Sequence, residues 1–287
     1  MSIWDSLGGN EKELLNEELF RRFCEVINKS TGLHFSENSK FFFEKRLQNR
    51  LDSLGGLTPN DYLHYLLYDA ERDKELENLV DLLTTNETYF MREERQLTCF
   101  KKDIVPRLIE EKKGKPIRIW SAGCSTGEEP FSITILLEEM GAYSRSDFEI
   151  KATDISRRVI ARARTGIFGE NAFRMVDEDF KKRWFTEENP GRYLLKENIR
   201  RRVSFSWFNL YDHDRYRTLS PFDIIFCRNV IIYFDMEAKV KVIERFWDTM
   251  QPGGFLLLGH SESLISVTEK FQLVHLPNDL VYLKAEP

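Results

Sequence analysis

Cysteine and histidine are scarce in this chain, and neither is clustered. The 287 residues hold four cysteines and five histidines. Cys24, Cys99, Cys124 and Cys227 lie far apart and form no C-x-x-C pair. That spacing gives neither a zinc site nor a disulfide framework, so no metal is expected and the thiols read as buried or incidental. Long apolar runs are missing too. No stretch approaches the roughly 18–20 residues that a membrane helix requires, so no insertion into a membrane is expected. The opening MSIWDSLGGNEKELL has no basic stretch followed by an apolar one, so it does not read as a secretory signal, and a cytoplasmic location is expected. Strong charge of one sign is also absent. A net charge of −5 disfavours a dedicated nucleic-acid binder, though it leaves room for a local basic patch.

What is present is a high aromatic content and two distinct textures. There are 22 phenylalanines, enough for a bulky aromatic core. A chain of this length makes one large or two modest domains. Residues 10–83 read as successive helices. Leu14, Leu15, Leu19, Phe23, Val26 and Ile27 follow a 3.6-residue period. A second helix begins after Asn38 or Ser39, carries Phe43, Leu47, Leu51 and Leu54 on one side, and stops at Gly55-Gly56. Thr58-Pro59 restarts the chain, and a further helix is expected over 71–83. From about residue 115, strand-like runs (117–122, 148–153, 203–208, 222–227, 255–258, 271–275, 280–284) alternate with helical ones (128–140, 156–164, 236–250). This predicts a mostly parallel sheet with helices on both faces, closed by an antiparallel hairpin at one edge. Residues 172–202 interrupt the alternation with a short helix, an Asn189-Pro190-Gly191 turn and a short strand, which together predict a small insertion. The expected organisation is a helical domain over 1–83, a connecting segment over 84–115 and an α/β domain over 116–287.

The run 117–130, IRIWSAGCSTGEEP, is the most informative. An apolar strand enters a turn of small residues, and a helix begins at Glu128 and Glu129. A second apolar run ends in Asp154. This is the opening of a nucleotide-binding βαβ unit, in which a carboxylate at the tip of the second strand accepts hydrogen bonds from a ribose. The turn lacks the Gly-x-Gly-x-x-Gly fingerprint and a phosphate-binding lysine. Acidic residues at the new helix's start repel phosphate and suit a ligand with a cationic end. S-adenosylmethionine has that chemistry, which puts methyl transfer before hydride or phosphoryl transfer.

Other candidates fall at the same sheet edge, where open α/β sheets bind ligands. Asn209 and Asn229 follow strands, as Asp154 does, and Glu129 lies one helical turn from the first. The segment 84–95, TTNETYFMREER, sits where the domains should meet, and Asn86, Thr88 and Arg92 offer several donors there. The run Gly259-His260-Ser261-Glu262-Ser263 resembles a hydrolase nucleophile elbow. The fifth residue is not glycine, and too little chain follows for the remaining triad. Residues 40–51 carry Lys40, Lys45, Arg46 and Arg50 against one acid, either a solvated face or an anion-recognising one.

Taken in order, TNETYFMRE, WSAGCSTGEEPFS, the aspartate of ATDIS, FCRNVIIYFD and PGGFLLLGHSES resemble the chemotaxis receptor glutamate methyltransferases, the CheR family. The likeness runs across nearly the whole chain. It implies a Rossmann-like S-adenosylmethionine-dependent methyltransferase fold with an N-terminal all-helical domain and a small inserted β-subdomain. It implies methyl transfer from S-adenosylmethionine, leaving S-adenosylhomocysteine, to glutamate side chains on the cytoplasmic helical region of chemoreceptors. Cofactor contacts carry over to Asn86, Thr88, Arg92, Glu129, Asp154, Asn209, Leu210, Arg228 and Asn229. Glu128 and Glu129 stay as alternatives, since both are acidic. Arg92 and Tyr233 lie nearest the reacting methyl. A monomer is expected, docking its receptor through Lys40, Arg46 and Arg50. The inserted hairpin is shorter than in members that grip a receptor's C-terminal tether, which leaves tether binding open. Two other readings remain: a methyltransferase for RNA or a small molecule, and a regulator that senses the cofactor. Arg228-Asn229-Val230 stands where base methylation would want an N-P-P-Y-type motif.

Overall fold

The computed structural model describes residues 14–285, so the first residues of the chain lie outside it. Two compact units are present. One comprises the residues up to Ser30 with His34–Leu83, the other Thr31–Leu33 with the chain from Thr84 onward.

The first unit is helical: α1 (Glu17–Thr31), α2 (Lys40–Ser53), α3 (Pro59–Tyr68) and α4 (Arg72–Leu83). The apolar period predicts its core. Leu19, Phe23 and Ile27 of α1, Phe43, Leu47 and Leu51 of α2, Tyr62, Leu63 and Leu66 of α3, and Leu79, Val80 and Leu83 of α4 are buried. Thr58 caps α3 by accepting the Asp61 amide at 3.2 Å, with Pro59 as the first helical residue.

A polar centre sits inside this unit. The Glu75 carboxylate is buried and receives Arg50 Nε at 2.7 Å, Arg50 Nη2, Tyr62 Oη at 2.6 Å and Asn78 Nδ2 at 3.1 Å. Burial pushes its pKa up, but these donors outweigh burial and hold it below the ordinary value. Arg46 Nη1 donates to the Leu82 carbonyl at 2.6 Å, and its guanidinium lies 4.6 Å from the Phe42 ring centre. Two of the basic residues expected on a docking face, both partly exposed, thus also tie α2 to α4. The clustered charge had suggested a surface because sequence spacing does not show that Glu75 lies opposite. Lys40 opens α2, and Lys45 is exposed.

The second unit continues with α5 (Glu94–Cys99), a π-helical turn over Phe100–Ile104, and α6 (Val105–Lys112). Then follow β1 (Ile117–Ala122), α7 (Glu128–Glu139), β2 (Phe148–Asp154), α8 (Arg157–Thr165), β3 (Ile167–Gly169), α9 (Glu178–Trp184), β4 (Phe185–Asn189), β5 (Arg192–Leu195) and α10 (Glu197–Arg200). The chain ends its regular structure with β6 (Val203–Trp207), α11 (His213–Tyr216), β7 (Phe222–Cys227), α12 (Met236–Thr249), β8 (Met250–Leu258), β9 (Gln272–His275) and β10 (Leu280–Leu283).

The large sheet runs β6-β2-β1-β7-β8-β10-β9. The first five strands are parallel, and β10 is antiparallel to both neighbours. The closing hairpin is present, but β10 lies between β8 and β9 and the edge belongs to β9. Strand β8 starts at Met250 rather than at 255. Pro252-Gly253-Gly254 reads as a turn, and it forms a bulge inside β8: Met250 pairs with Phe222 and Phe255 with Ile224, while Gly253 and Gly254 bond Lys284 instead. Alternation along β1 feeds two aromatic cores. Trp120 faces one, against Phe208, Phe222 and Phe246. Ile117 and Ile119 face the other, with Phe131, Ile133 and Phe226.

A small sheet, β3-β5-β4, draws β3 from upstream of the expected insertion at 172–202. It holds residues 84–93 in place. Phe90 is fully buried among Phe168, Phe173, Phe180 and Phe185, with ring centres 4.8–6.1 Å away, and its amide donates to the Ala172 carbonyl at 2.9 Å. Truncating such a phenylalanine costs about 3–5 kcal/mol.

Candidate active site

Strand register brings the polar candidates to one edge. Ala122 pairs with Thr153, Asp154 with Trp207, and Cys227 with Leu258, so the loops after β1, β2, β6, β7 and β8 begin at one level. The Phe208 amide donates to the Asp154 carbonyl at 2.9 Å, which sets Asn209 beside Asp154. The turn after β1 is shaped by its neighbour. A Cβ on Gly123 would lie 2.3 Å from Val230 Cγ2, and its φ is +91°, so only glycine fits.

Asp154 is buried, and its carboxylate is fixed from two sides, by the Ser125 amide at 2.9 Å and the Ser156 amide at 2.9 Å. A carboxylate oxygen accepts more than one hydrogen bond, so a ribose diol can be received here as well. The structure separates the two acids that start α7. Glu128 is held in its own turn by the Thr126 hydroxyl at 2.6 Å. Glu129 accepts from Ser121 Oγ at 2.7 Å, and its other oxygen lies 3.4 Å from Arg228 Nη1. Burial raises both carboxyls above their ordinary value, and Arg228 opposes this for Glu129.

Arg228 is the hub. Its side chain is only 3% exposed, and Nε reaches Glu93 Oε2 at 3.2 Å while Nη2 donates to the Arg92 carbonyl. Arg92 itself sits half-buried; Nη1 donates to the Glu87 carbonyl at 2.8 Å, and its guanidinium lies 5.6 Å from the Tyr89 ring. Asn86 Nδ2 makes long contacts of 3.4 and 3.5 Å to Thr84, and its carbonyl accepts from Ser125 Oγ. Thr88 is half-buried on the same segment. Asn209 Oδ1 takes the Tyr211 amide at 2.9 Å, and buried Leu210 gives its carbonyl to Tyr216 and Arg245. Asn229 has φ +59°, and its Oδ1 is buried with no hydrogen-bond partner among the described residues. Tyr233 lies five residues on from Arg228 and is 38% exposed.

Sequence reasoning missed Glu93, Ser121 and Glu262. Glu93 stood at the end of the TNETYFMRE motif with Glu87 and Glu94 nearby, and nothing in the spacing singled it out. Glu262 lay in a run read for its serine.

Against known families, the all-alpha domain of the CheR methyltransferases matches residues 18–84, and their S-adenosylmethionine-binding domain matches residues 86–280. This chain belongs to the CheR family. It is 34% identical to chemotaxis protein methyltransferase 2 of Vibrio cholerae, covering 92% of each chain. It is 35% identical to the chemotaxis protein methyltransferase Cher2 of Pseudomonas putida, covering 92% of this chain and 96% of that one. It is 33% identical to a probable biofilm formation methyltransferase, WspC, of Pseudomonas aeruginosa, covering 91% of this chain and 61% of that one. The protein is thus a methyltransferase with the Rossmann-like fold of its family. No helix among the described residues is long and apolar enough to cross a membrane.

The residues present fit S-adenosylmethionine. Asp154 suits a ribose, the unmatched Asn229 Oδ1 suits an ammonium or other donor, and the acids Glu93 and Glu129 favour a cationic ligand over a phosphate.

Proposed function

We propose that this methyltransferase esterifies glutamate side chains on the helical signalling region of chemoreceptors, with Asn86, Thr88, Arg92, Glu129, Asp154, Asn209, Leu210, Arg228 and Asn229 around the cofactor. The observation that carries the reading is Arg92. It is a half-buried guanidinium whose hydrogen bond, among the described residues, goes to a neutral carbonyl at 2.8 Å. Its remaining donors can receive a carboxylate as a fork.

S-adenosylmethionine, when bound, supplies an electrophilic methyl on a cationic sulfur. The chain's task is then placement. A glutamate is already ionised near neutral pH, so no residue has to remove a proton. Arg92 orients the incoming carboxylate without capturing it, because Phe90 holds the backbone of its segment fast. Positioning of this kind supplies on the order of 7–11 kcal/mol in favourable cases. Tyr233, at the mouth of the site, excludes water and offers one hydroxyl. For docking, Lys40, Arg46 and Arg50 on α2 would meet an acidic receptor segment, with exposed Lys45 beside them and the two arginines also bonded inside their unit.

The test is chemical. The protein is incubated with labelled S-adenosylmethionine and a receptor's signalling fragment, then treated with base. Methyl esters release methanol, whereas methylated amines and bases do not. Label stable to base assigns another acceptor, and no transfer at all with tight cofactor binding assigns a sensor.

A further inference from the structure

Methyl transfer leaves the GHSES run after β8 unexplained, and that run turns one side chain inward. Residues 259–262 form a tight turn, with the Glu262 amide donating to the Gly259 carbonyl at 2.8 Å. The Glu262 side chain then folds back over the loop after β7. Its Oε2 accepts the Asn229 amide at 2.7 Å and the Gly259 amide at 2.8 Å. Its Oε1 accepts the Val230 amide at 2.9 Å and the Ile232 amide at 3.3 Å. Four backbone donors converge on one carboxylate, and three belong to the loop that carries Asn229 and Tyr233.

This loop would not hold its shape alone. Asn229 takes φ +59°, a left-handed conformation uncommon outside glycine that asparagine adopts more readily than most. A helical turn over Ile231–Tyr233 follows at once. Amides that point inward together leave partial positive charge, and an anion is what such a concavity binds. In this place the anion also matters for sign, because unmatched N–H groups would oppose a cationic ligand. The fit is close: a Cβ on Gly259 would lie 2.8 Å from Asn229 Nδ2 and 3.0 Å from Glu262 Oε2.

We propose that Glu262 is a positioning residue of the methyl-transfer site, holding Asn229 and Tyr233 in place through the backbone amides of their loop. It acts through the loop and touches neither cofactor nor substrate. The proposal rests on the reading of Asn229 and Tyr233 as site residues.

Glu262→Gln keeps size and one carbonyl oxygen but turns an NH2 toward two donors. Glu149→Gln is the control: it removes a carboxylate that pairs with Arg118 at 2.8 Å near the starts of β1 and β2, at the opposite end of those strands from the site loops. Amide exchange is measured first, without cofactor. Glu262→Gln should speed exchange at Asn229, Val230 and Ile232 by about tenfold to a hundredfold, the scale of lost charged hydrogen bonds, with the control unchanged there. Affinity for S-adenosylhomocysteine should fall by about tenfold or more on the same scale, and turnover should fall with the KM for receptor kept. Wild-type exchange and affinity in Glu262→Gln overturn the proposal. So does uniformly faster exchange across the unit, which makes the residue a general stabiliser. If Glu262→Gln does not fold, Glu262→Asp keeps the charge on a shorter stem and must show the local change; wild-type behaviour there also overturns it. If the wild type esterifies no receptor yet binds S-adenosylhomocysteine, the functional reading fails while exchange and affinity still decide the role of Glu262.

Discussion

In the helical unit, Arg50 meets Glu75 with both arms of its fork, and Tyr62 and Asn78 complete the carboxylate. In the methyltransferase unit, Arg228 divides one guanidinium among Glu93, Glu129 and the Arg92 carbonyl. Both centres pair an arginine with glutamate, the arginine being the more buried partner in the second and the glutamate in the first. The first is closed: donors match acceptors, and the Glu75 pKa falls below its ordinary value despite burial. The second is open: Arg228 is shared between two acids with Arg92 nearby, burial still raises Glu129, and the Asn229 Oδ1 has no hydrogen-bond partner among the described residues. A satisfied buried pair holds a fold together, whereas an open one leaves acceptors for the cationic ligand proposed here.

Four experiments sharpen or break this contrast. The largest effect should come from the closed centre. Glu75→Ala leaves Arg50 without its partner and should cost about 3–5 kcal/mol of stability, as breaking a buried pair does. Denaturant unfolding reads the loss, and the affinity for S-adenosylhomocysteine in the folded fraction should stay the same. A stability change within error would show that the pair is not structural. Arg50→Glu belongs to the same class, so receptor docking cannot be tested with it.

Next comes Arg92. Arg92→Ala should lower turnover by about a hundredfold to a thousandfold, the usual scale for a lost preorganised donor, and weaken cofactor binding far less. Calorimetry beside a methylation assay separates the two. Normal turnover with weak cofactor binding would assign Arg92 to the cofactor alone.

Asp154 follows. S-adenosylhomocysteine at a hundred times its dissociation constant should stabilise the wild type by about 2.7 kcal/mol, and Asp154→Ala should lose most of that. Thermal melts with and without ligand measure it. An equal ligand-induced rise in the variant would remove Asp154 from the ribose site.

The smallest effect is the pH dependence, in which the two centres should part in sign. Glu75 sits below its ordinary value of 4.5, so its contribution is present above that value and fades as pH falls through the lowered one. Glu129 sits above 4.5, so its contribution is present below that value and fades as pH rises through the raised one. Acidification should therefore loosen amides near Glu75 while sparing those near Glu129, read by hydrogen exchange residue by residue. Parallel loosening at both centres would dissolve the distinction.

Much of this was legible in the chain. The period of Leu19, Phe23 and Ile27 and the alternation in IRIWSA depend on local chemistry, and they specify helices and strands directly. That Asp154, Asn209 and Asn229 share one edge was readable because Asp154 ends a strand and each asparagine lies two residues past one, and strands in a parallel sheet end at one edge. What stayed hidden was pairing at long range. Arg50 and Glu75 are 25 residues apart, and Arg228 and Glu93 are 135 apart, so neither partnership leaves a local trace. Glu262 was hidden for another reason: its partners are backbone amides, which carry no residue identity. The start of β8 was obscured by Pro252-Gly253-Gly254, which bulges out of the register with β7 while Met250 before it still pairs with Phe222.

The position of β10 sets an order of assembly. As the chain leaves the ribosome, β9 emerges before the strand it pairs with, since β10 stands between it and β8. Until residues 280–283 arrive, β9 has no seat in the sheet and β8 presents an open flank. A chain without residues 280–283 therefore lacks two strands of the sheet rather than one, and leaves the flank of β8 open to other strands.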